Sequence, residues 1–172
     1  MTFIVIMLII LLNVFILRGF RVMAILTAEL VSNYFLSLLY EEGGDTLSNL
    51  KLQKLLYYAQ GLHLAYYGKP LFSEQIRAWM HGPVVPAIYR KYMGYGSGSI
   101  PKPTGLDFDS IKHSQKDFLN EIWTVFGQFS GWKLYNMVHG EEIWKGASPN
   151  CVIKRDIMRK FFKKYIRRRK HP

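Results

Sequence analysis

Three histidines, His63, His81 and His139, are the side chains of this sequence best suited to acid–base or metal chemistry. A zinc site would need two or three of them together with a carboxylate. His63 falls within a helical stretch and has no second ligand four residues on. His139-Gly140-Glu141-Glu142 lacks the His-Glu-x-x-His spacing that places two imidazoles on one helix face. No serine or cysteine stands in a strained strand-to-helix elbow, which disfavours a Ser/His/Asp or Cys/His nucleophile. Gly94-Tyr95-Gly96-Ser97-Gly98 is glycine-rich, but it follows a helix and has no Lys-Ser/Thr pair, so it is not a phosphate loop. The expectation is no enzyme, no metal and no cofactor. Cys151 is the single cysteine, so no internal disulfide framework or four-thiolate zinc site can form. It reads as a small, semi-buried loop residue in a reducing cytoplasm.

A different kind of chemistry is written between Leu47 and Tyr95. Leu50-Lys51-Leu52-Gln53-Lys54-Leu55-Leu56-Tyr57-Tyr58-Ala59-Gln60 is an apolar helix carrying a fixed polar set. Gln53 and Gln60 lie two helical turns apart on one face, with Lys54 and Tyr57 beside them. A polar stripe this regular either satisfies a buried network or faces a partner. Trp79-Met80-His81-Gly82-Pro83 follows. Gly82 permits unusual backbone angles and Pro83 fixes the approach to a helix, so His81 is expected to hydrogen-bond backbone groups or a glutamine there. Trp79 is expected to bury its ring.

Helices must position these residues. Thr27 can cap one running to about Glu42, ended by Gly43-Gly44. Its stripes are Leu30, Tyr34, Leu38 and Val31, Phe35, Leu39. Ser48 or Thr46 caps the next, to about Tyr67, where Gly68 stops it; Leu52, Leu55, Leu56, Ala59, Leu62 and Tyr66 form its apolar set. Gly61 inside it costs about 1 kcal/mol against Ala and implies a close helix–helix approach. Leu71-Phe72 and Ile76 to Trp79 are extended and can form a small hairpin. Gly82-Pro83 opens a helix to about Met93, with Pro in the first turn. A Gly/Pro/Ser-rich loop over 94–109 holds Ile100 and Leu106. Ser114 and Asp117 resemble a capping box. Phe118, Ile122, Val125, Phe126 and Phe129 make the next face, and Ser130 caps a helix with Leu134, Met137 and Val138. A turn with Trp144 leads to a last helix from about Lys154, with Ile157, Phe161, Phe162 and Tyr165 inward. The fold class is mostly α: one compact helical domain of about six helices with at most a small β-hairpin.

Two ends distort the averages of this 172-residue chain. Residues 1–22 are an apolar N-terminal extension, uncharged from Thr2 to Leu17 and followed by Arg18 and Arg21. The run is short for a membrane span, and its arginines follow the apolar stretch, unlike a secretory signal. It reads as a misassigned start before Met23 or as a membrane anchor. Residues 152–170 carry ten cations against Asp156 alone, a formal +9 of the chain's +11. The body is therefore nearly neutral, and the basic pI belongs to one end. Residues 166–172 form a basic tail, and Arg167, Arg168, Arg169 and Lys170 could contact nucleic acid or anionic lipid. No nucleic-acid-reading motif accompanies them.

The block 50–60, then Gly68-Lys69-Pro70-Leu71-Phe72, then Ala78-Trp79-Met80-His81-Gly82-Pro83-Val84 and Tyr89, resembles the Panacea domain of SocA-like antitoxins. Leu134 to Trp144, with His139, Glu142 and Trp144, is similar to that family's C-terminal signature, and the likeness covers about Ala24 to Tyr165. Glu141-Glu142-Ile143-Trp144 departs from it, because the family tends to place Pro directly before Trp. The resemblance implies a domain over 23–165 that binds and neutralises a toxin encoded next to it. Its signature positions are Lys51, Gln53, Lys54, Tyr57, Tyr58, Gln60, Trp79, His81, Gly82, Pro83 and Trp144, which either touch the toxin or hold the fold. The expected function is thus a cytoplasmic, non-enzymatic antitoxin acting by direct protein–protein contact. Two alternatives stay open at this point. One is a phage or mobile-element regulator that contacts nucleic acid through its basic tail. The other is a membrane-anchored interaction protein, if residues 1–22 are native.

Overall fold

The computed structural model describes residues 25–39 and 46–167. The apolar extension 1–22, the expected Glu42 helix end with its Gly43-Gly44 stop, and Arg168 to Lys170 lie outside them.

Seven α-helices and one hairpin make up the described residues, in keeping with the mostly α expectation. Helix α1 (Ala28–Ser37) is capped by Thr27, whose hydroxyl accepts from the Leu30 amide at 3.1 Å. Helix α2 (Asn49–Tyr67) is capped by Ser48 and closed by Gly68 in the left-handed region at φ +70°. The chain then runs extended through Leu71-Phe72. Strands β1 (Arg77–Trp79) and β2 (Gly82–Val84) pair antiparallel, Arg77 opposite Val84 and Trp79 opposite Gly82. Helix α3 (Pro86–Tyr92) follows, and a 3-10 turn at Met93–Tyr95 leads into the long loop. Helices α4 (His113–Ile122), α5 (Gly131–His139), α6 (Glu142–Lys145) and α7 (Arg155–Arg167) complete the domain.

Helix α2 is the axle. It packs against α1, α3, α4, α5 and α7, and residues 52–65 are buried without interruption. A helix enclosed on every side must satisfy its own polar side chains internally. The close approach expected at Gly61 is made by α7. A Cβ there would lie 2.0 Å from the Phe162 ring, so only glycine admits that ring.

Several local expectations change. The helix after the hairpin starts at Pro86, not at Gly82-Pro83. Gly82, at φ +101°, and Pro83 sit in β2 instead. Proline is preorganised for a first helical turn wherever one begins, and the second proline of this stretch takes that place. Leu71-Phe72 joins no hairpin: Phe72 bridges Leu26 in parallel, and the Leu26 amide donates to Leu71 O at 2.8 Å. Helix α4 is capped not by Ser114 and Asp117 but at Lys112, whose amide donates to Gln115 Oε1. On α7, Met158 and Phe162 face the core and Ile157 is 51% exposed. Cys151 is exposed, and its backbone runs alongside β1 by way of Ala78.

Candidate functional site

The α2 polar stripe turns inward. Gln53 Oε1 accepts from the Val85 amide at 2.9 Å, and its Nε2 donates to Asn49 Oδ1. That pair fixes the hairpin's exit into α3. Asn49 in turn donates to the Tyr89 carbonyl. Gln60 Oε1 accepts from Leu71 N at 2.7 Å and Phe72 N at 3.3 Å, and its Nε2 donates to Phe72 O at 3.0 Å. One buried amide side chain thus satisfies three backbone groups of an irregular segment, which helix or sheet pairing would not have satisfied.

Lys54 is fully buried and donates from Nζ to Pro83 O at 3.2 Å. Among the described residues no carboxylate forms an ion pair with it, and burial pulls its ammonium down from 10.5 to about 7. Gly82 is needed above it. A Cβ there would stand 2.7 Å from Lys54 Nζ, and the positive φ already disfavours any side chain.

One turn further along α2, Tyr57 and Tyr58 both donate to Glu141, at 2.6 Å to Oε2 and 3.0 Å to Oε1. Burial lifts the Glu141 carboxyl from 4.5 to about 7, and the two phenol hydrogen bonds oppose that shift. Sequence reasoning singled out the exposed Glu142 and missed Glu141. The available signal was the pair of adjacent tyrosines on a buried helix, whose hydroxyls must find partners.

Trp144 belongs to an aromatic chain along α5. Its ring lies 4.9 Å from His139, which stacks on Tyr135 at 3.8 Å, which meets Trp132 edge-on at 5.1 Å. His139, not His81, is the histidine that engages backbone at the hairpin. Its two ring nitrogens face Tyr135 O at 2.9 Å and Met80 O at 3.3 Å. The neutral ring donates to one of these carbonyls, the imidazolium to both. His81 itself is exposed in the turn, 6.2 Å from the Tyr135 ring. Trp79 is half-buried and meets Tyr89 edge-on at 5.0 Å. Lys51 lies outside the groove described next, with its ammonium 5.7 Å from the Trp123 ring centre.

These elements enclose an open groove of about 620 Å³ between the hairpin, α2, α3 and Trp132 of α5. Gln53 and Lys54 lie in its floor, and Trp79, Met80, His81, Tyr89 and Met93 form its walls. Met80 is 78% exposed, Trp132 64% and Met93 57%. Large apolar side chains left open around a concave surface mark binding faces rather than solvated ones. The structure therefore brings Gln53, Lys54, Trp79 and His81 to one face. Tyr57 and Tyr58 belong to the Glu141 cluster and Gln60 to the opposite end of α2. Among the described residues no cluster of three His, Cys, Asp or Glu side chains could hold a metal. No helix among them is long and apolar enough to cross a membrane.

The groove, with exposed apolar walls above a hydrogen-bonded polar floor, is the candidate site. The chain belongs to the family described as Antitoxin SocA-like, Panacea domain, whose profile matches residues 52–145, just over half of its length. A 50-residue segment is 48% identical to Antitoxin SocA of Caulobacter vibrioides (strain NA1000 / CB15N), covering 29% of this chain and 27% of that protein. The match thus spans about a quarter of that relative's length. No solved structure matches the chain.

Proposed function

We propose that this protein is a non-enzymatic antitoxin that neutralises a protein toxin by direct contact, and that the toxin docks on the groove framed by Trp79, Met80, His81, Tyr89, Met93 and Trp132. The observation that carries this reading is the exposure of Met80, Met93 and Trp132 around that groove, inside the family-matched domain. Residues 23–165 form the binding domain, and the toxin is the product of a neighbouring gene. The signature positions divide between two tasks. Gln53, Gly82 and Pro83 shape the groove and Gln60, Tyr57 and Tyr58 hold segments packed elsewhere on α2, whereas Trp79 and His81 meet the partner. Preorganisation of this kind lets exposed anchors bind without first ordering a loop.

Co-expression with the neighbouring gene product tests it. Restored growth and co-purification support the reading; a toxic neighbour that is neither bound nor neutralised overturns it. A Trp132→Ala variant locates the contact. It is expected to fold normally and to lose at least about 2 kcal/mol of binding, roughly 30-fold in affinity.

A further inference from the structure

Helix α7 spends its apolar side on the core and leaves the opposite side cationic. Met158 and Phe162 are buried. At roughly 100° per residue, Arg159, Lys160, Lys163 and Lys164 fall within an arc of about 140° on the far side. Arg159, Lys160 and Lys164 are exposed and Lys163 is half-buried. A second element widens this surface. The Arg159 guanidinium lies against the turn that closes α2, where a Cβ on Gly68 would stand 3.3 Å from its Nη2. The exposed Lys69 is next in the chain. Glu74 and Asp156 line a pocket with Lys154 and Arg155 at the N-terminal end of α7, so that end is mixed in sign. Beyond it, among the described residues, no carboxylate stands within ion-pair distance of the five cations. Arg159 and Lys163, and Lys160 and Lys164, are spaced four residues apart, where like charges destabilise a helix. Folding is not what this arrangement serves.

We propose that the face formed by Lys69, Arg159, Lys160, Lys163 and Lys164 binds the phosphodiester backbone of a nucleic-acid duplex. Charge density decides the occupant. A duplex carries one negative charge per about 1.7 Å of its axis. Arg159 to Lys164 place four cations within about 8 Å of helix, nearly the same density. A protein partner fits less well, because protein interfaces are depleted in Lys and centred on aromatic residues, and none lies within this arc. A bilayer would need an apolar helix face to insert. That face of α7 is packed on α2, with Phe162 over Gly61. No base-reading element accompanies the cations, so the contact holds the backbone without selecting sequence. None of the groove's lining residues belongs to α7. The inference therefore goes beyond the antitoxin reading and does not depend on it.

The test is fluorescence anisotropy with the full chain and labelled DNA and RNA duplexes of ~20 base pairs in unrelated sequences. Five phosphate contacts set a slope of log affinity against log salt of about −4.5, a loss of roughly 500-fold between 50 and 200 mM. A Lys160→Gln/Lys163→Gln/Lys164→Gln variant removes three contacts, and its loss over the same range should shrink to about tenfold. Its unfolding midpoint is expected to hold or rise as the like-charge pairs disappear. Lys160→Gln/Lys164→Gln, at exposed positions, takes its place should Lys163 prove necessary for folding. Unrelated sequences are expected to bind alike, and the duplex bound more tightly names the source. Absence of duplex binding at low salt would overturn the inference, as would a salt slope that the substitutions leave unchanged. Tighter, lysine-dependent binding to phosphatidylserine–phosphatidylcholine vesicles or to polyglutamate than to either duplex would also overturn it. Toxin rescue by the lysine variant is expected to match the wild type, so failure of either reading leaves the other standing.

Discussion

Replacing Glu141 with Gln is expected to stabilise the protein above pH 7 but not near pH 5. Tyr57 and Tyr58 hold this carboxyl, yet burial still lifts it from 4.5 to about 7. Between those values the folded protein keeps a proton that the unfolded chain has released. Wild-type stability from this group therefore falls as pH rises through the window. A gap of about 2.5 pH units at ~1.4 kcal/mol each sets a ceiling of about 3.5 kcal/mol. His63 works the other way. Burial lowers it from 6.5 to about 4, so its contribution grows with pH over an overlapping range. The wild-type profile alone mixes the two slopes; the difference between wild type and Glu141→Gln isolates one. Urea denaturation followed by circular dichroism, in steps from pH 5 to pH 8.5, measures it. The variant's advantage should grow by about 2–3 kcal/mol across the series. A difference flat to within about 0.5 kcal/mol would refute the claim that this carboxyl is desolvated. Lys54→Met should give the mirror image. Its advantage is largest below pH 7 and shrinks toward 10.5, where the unfolded lysine also loses its proton.

Other outcomes follow from packing and hydrogen bonding. Gly61→Ala is expected to cost about 1–2 kcal/mol despite alanine's better helix propensity, because its Cβ would lie 2.0 Å from the buried Phe162 ring. In a Phe162→Leu background the same change should become neutral or favourable, which a double-mutant cycle in denaturant reads directly. Gln60→Leu leaves the amides of Leu71 and Phe72 and the carbonyl of Phe72 without their buried partner. It should cost about 2–4 kcal/mol and raise hydrogen exchange at Leu71. Trp132→Ala, whose ring is 64% exposed, should shift the denaturation midpoint by less than about 0.5 kcal/mol equivalent.

What could be read in advance was local. Thr27, Ser48 and Ser130 each cap the helix that follows, and Gly68 ends α2, because a hydroxyl or a missing Cβ acts within a few residues. What could not be read depends on partners far along the chain. Gln53 meets Val85 and Gln60 meets Leu71, so the stripe alone could not show whether it faced inward or outward. Glu141 was passed over for Glu142 because only the fold shows which neighbour reaches Tyr57 and Tyr58, more than 80 residues away. Ile157 and Met158 offered two registers for the apolar face of α7. Phe162 docking over Gly61 selects the one that buries Met158 and exposes Ile157. At Gly82-Pro83 the rule for proline in a first turn fitted two nearby sites. The long-range contacts of Lys54 and Gln53 place that segment in a strand and pass the helix start to Pro86. The groove was legible only in fragments, since Trp132 and Met93 carry no local sign that they converge with Met80.

The central claim is direct neutralisation of a toxin on the groove face. The measurement that tests it most directly is growth rescue on co-expression with the neighbouring gene product, paired with titration of the purified proteins, for wild type and for Trp132→Ala and Met80→Glu. The account predicts restored growth and a stable complex with the wild type, and loss of both in well-folded groove variants. A toxic partner that the wild type neither binds nor silences, or that the groove variants neutralise equally well, would contradict it.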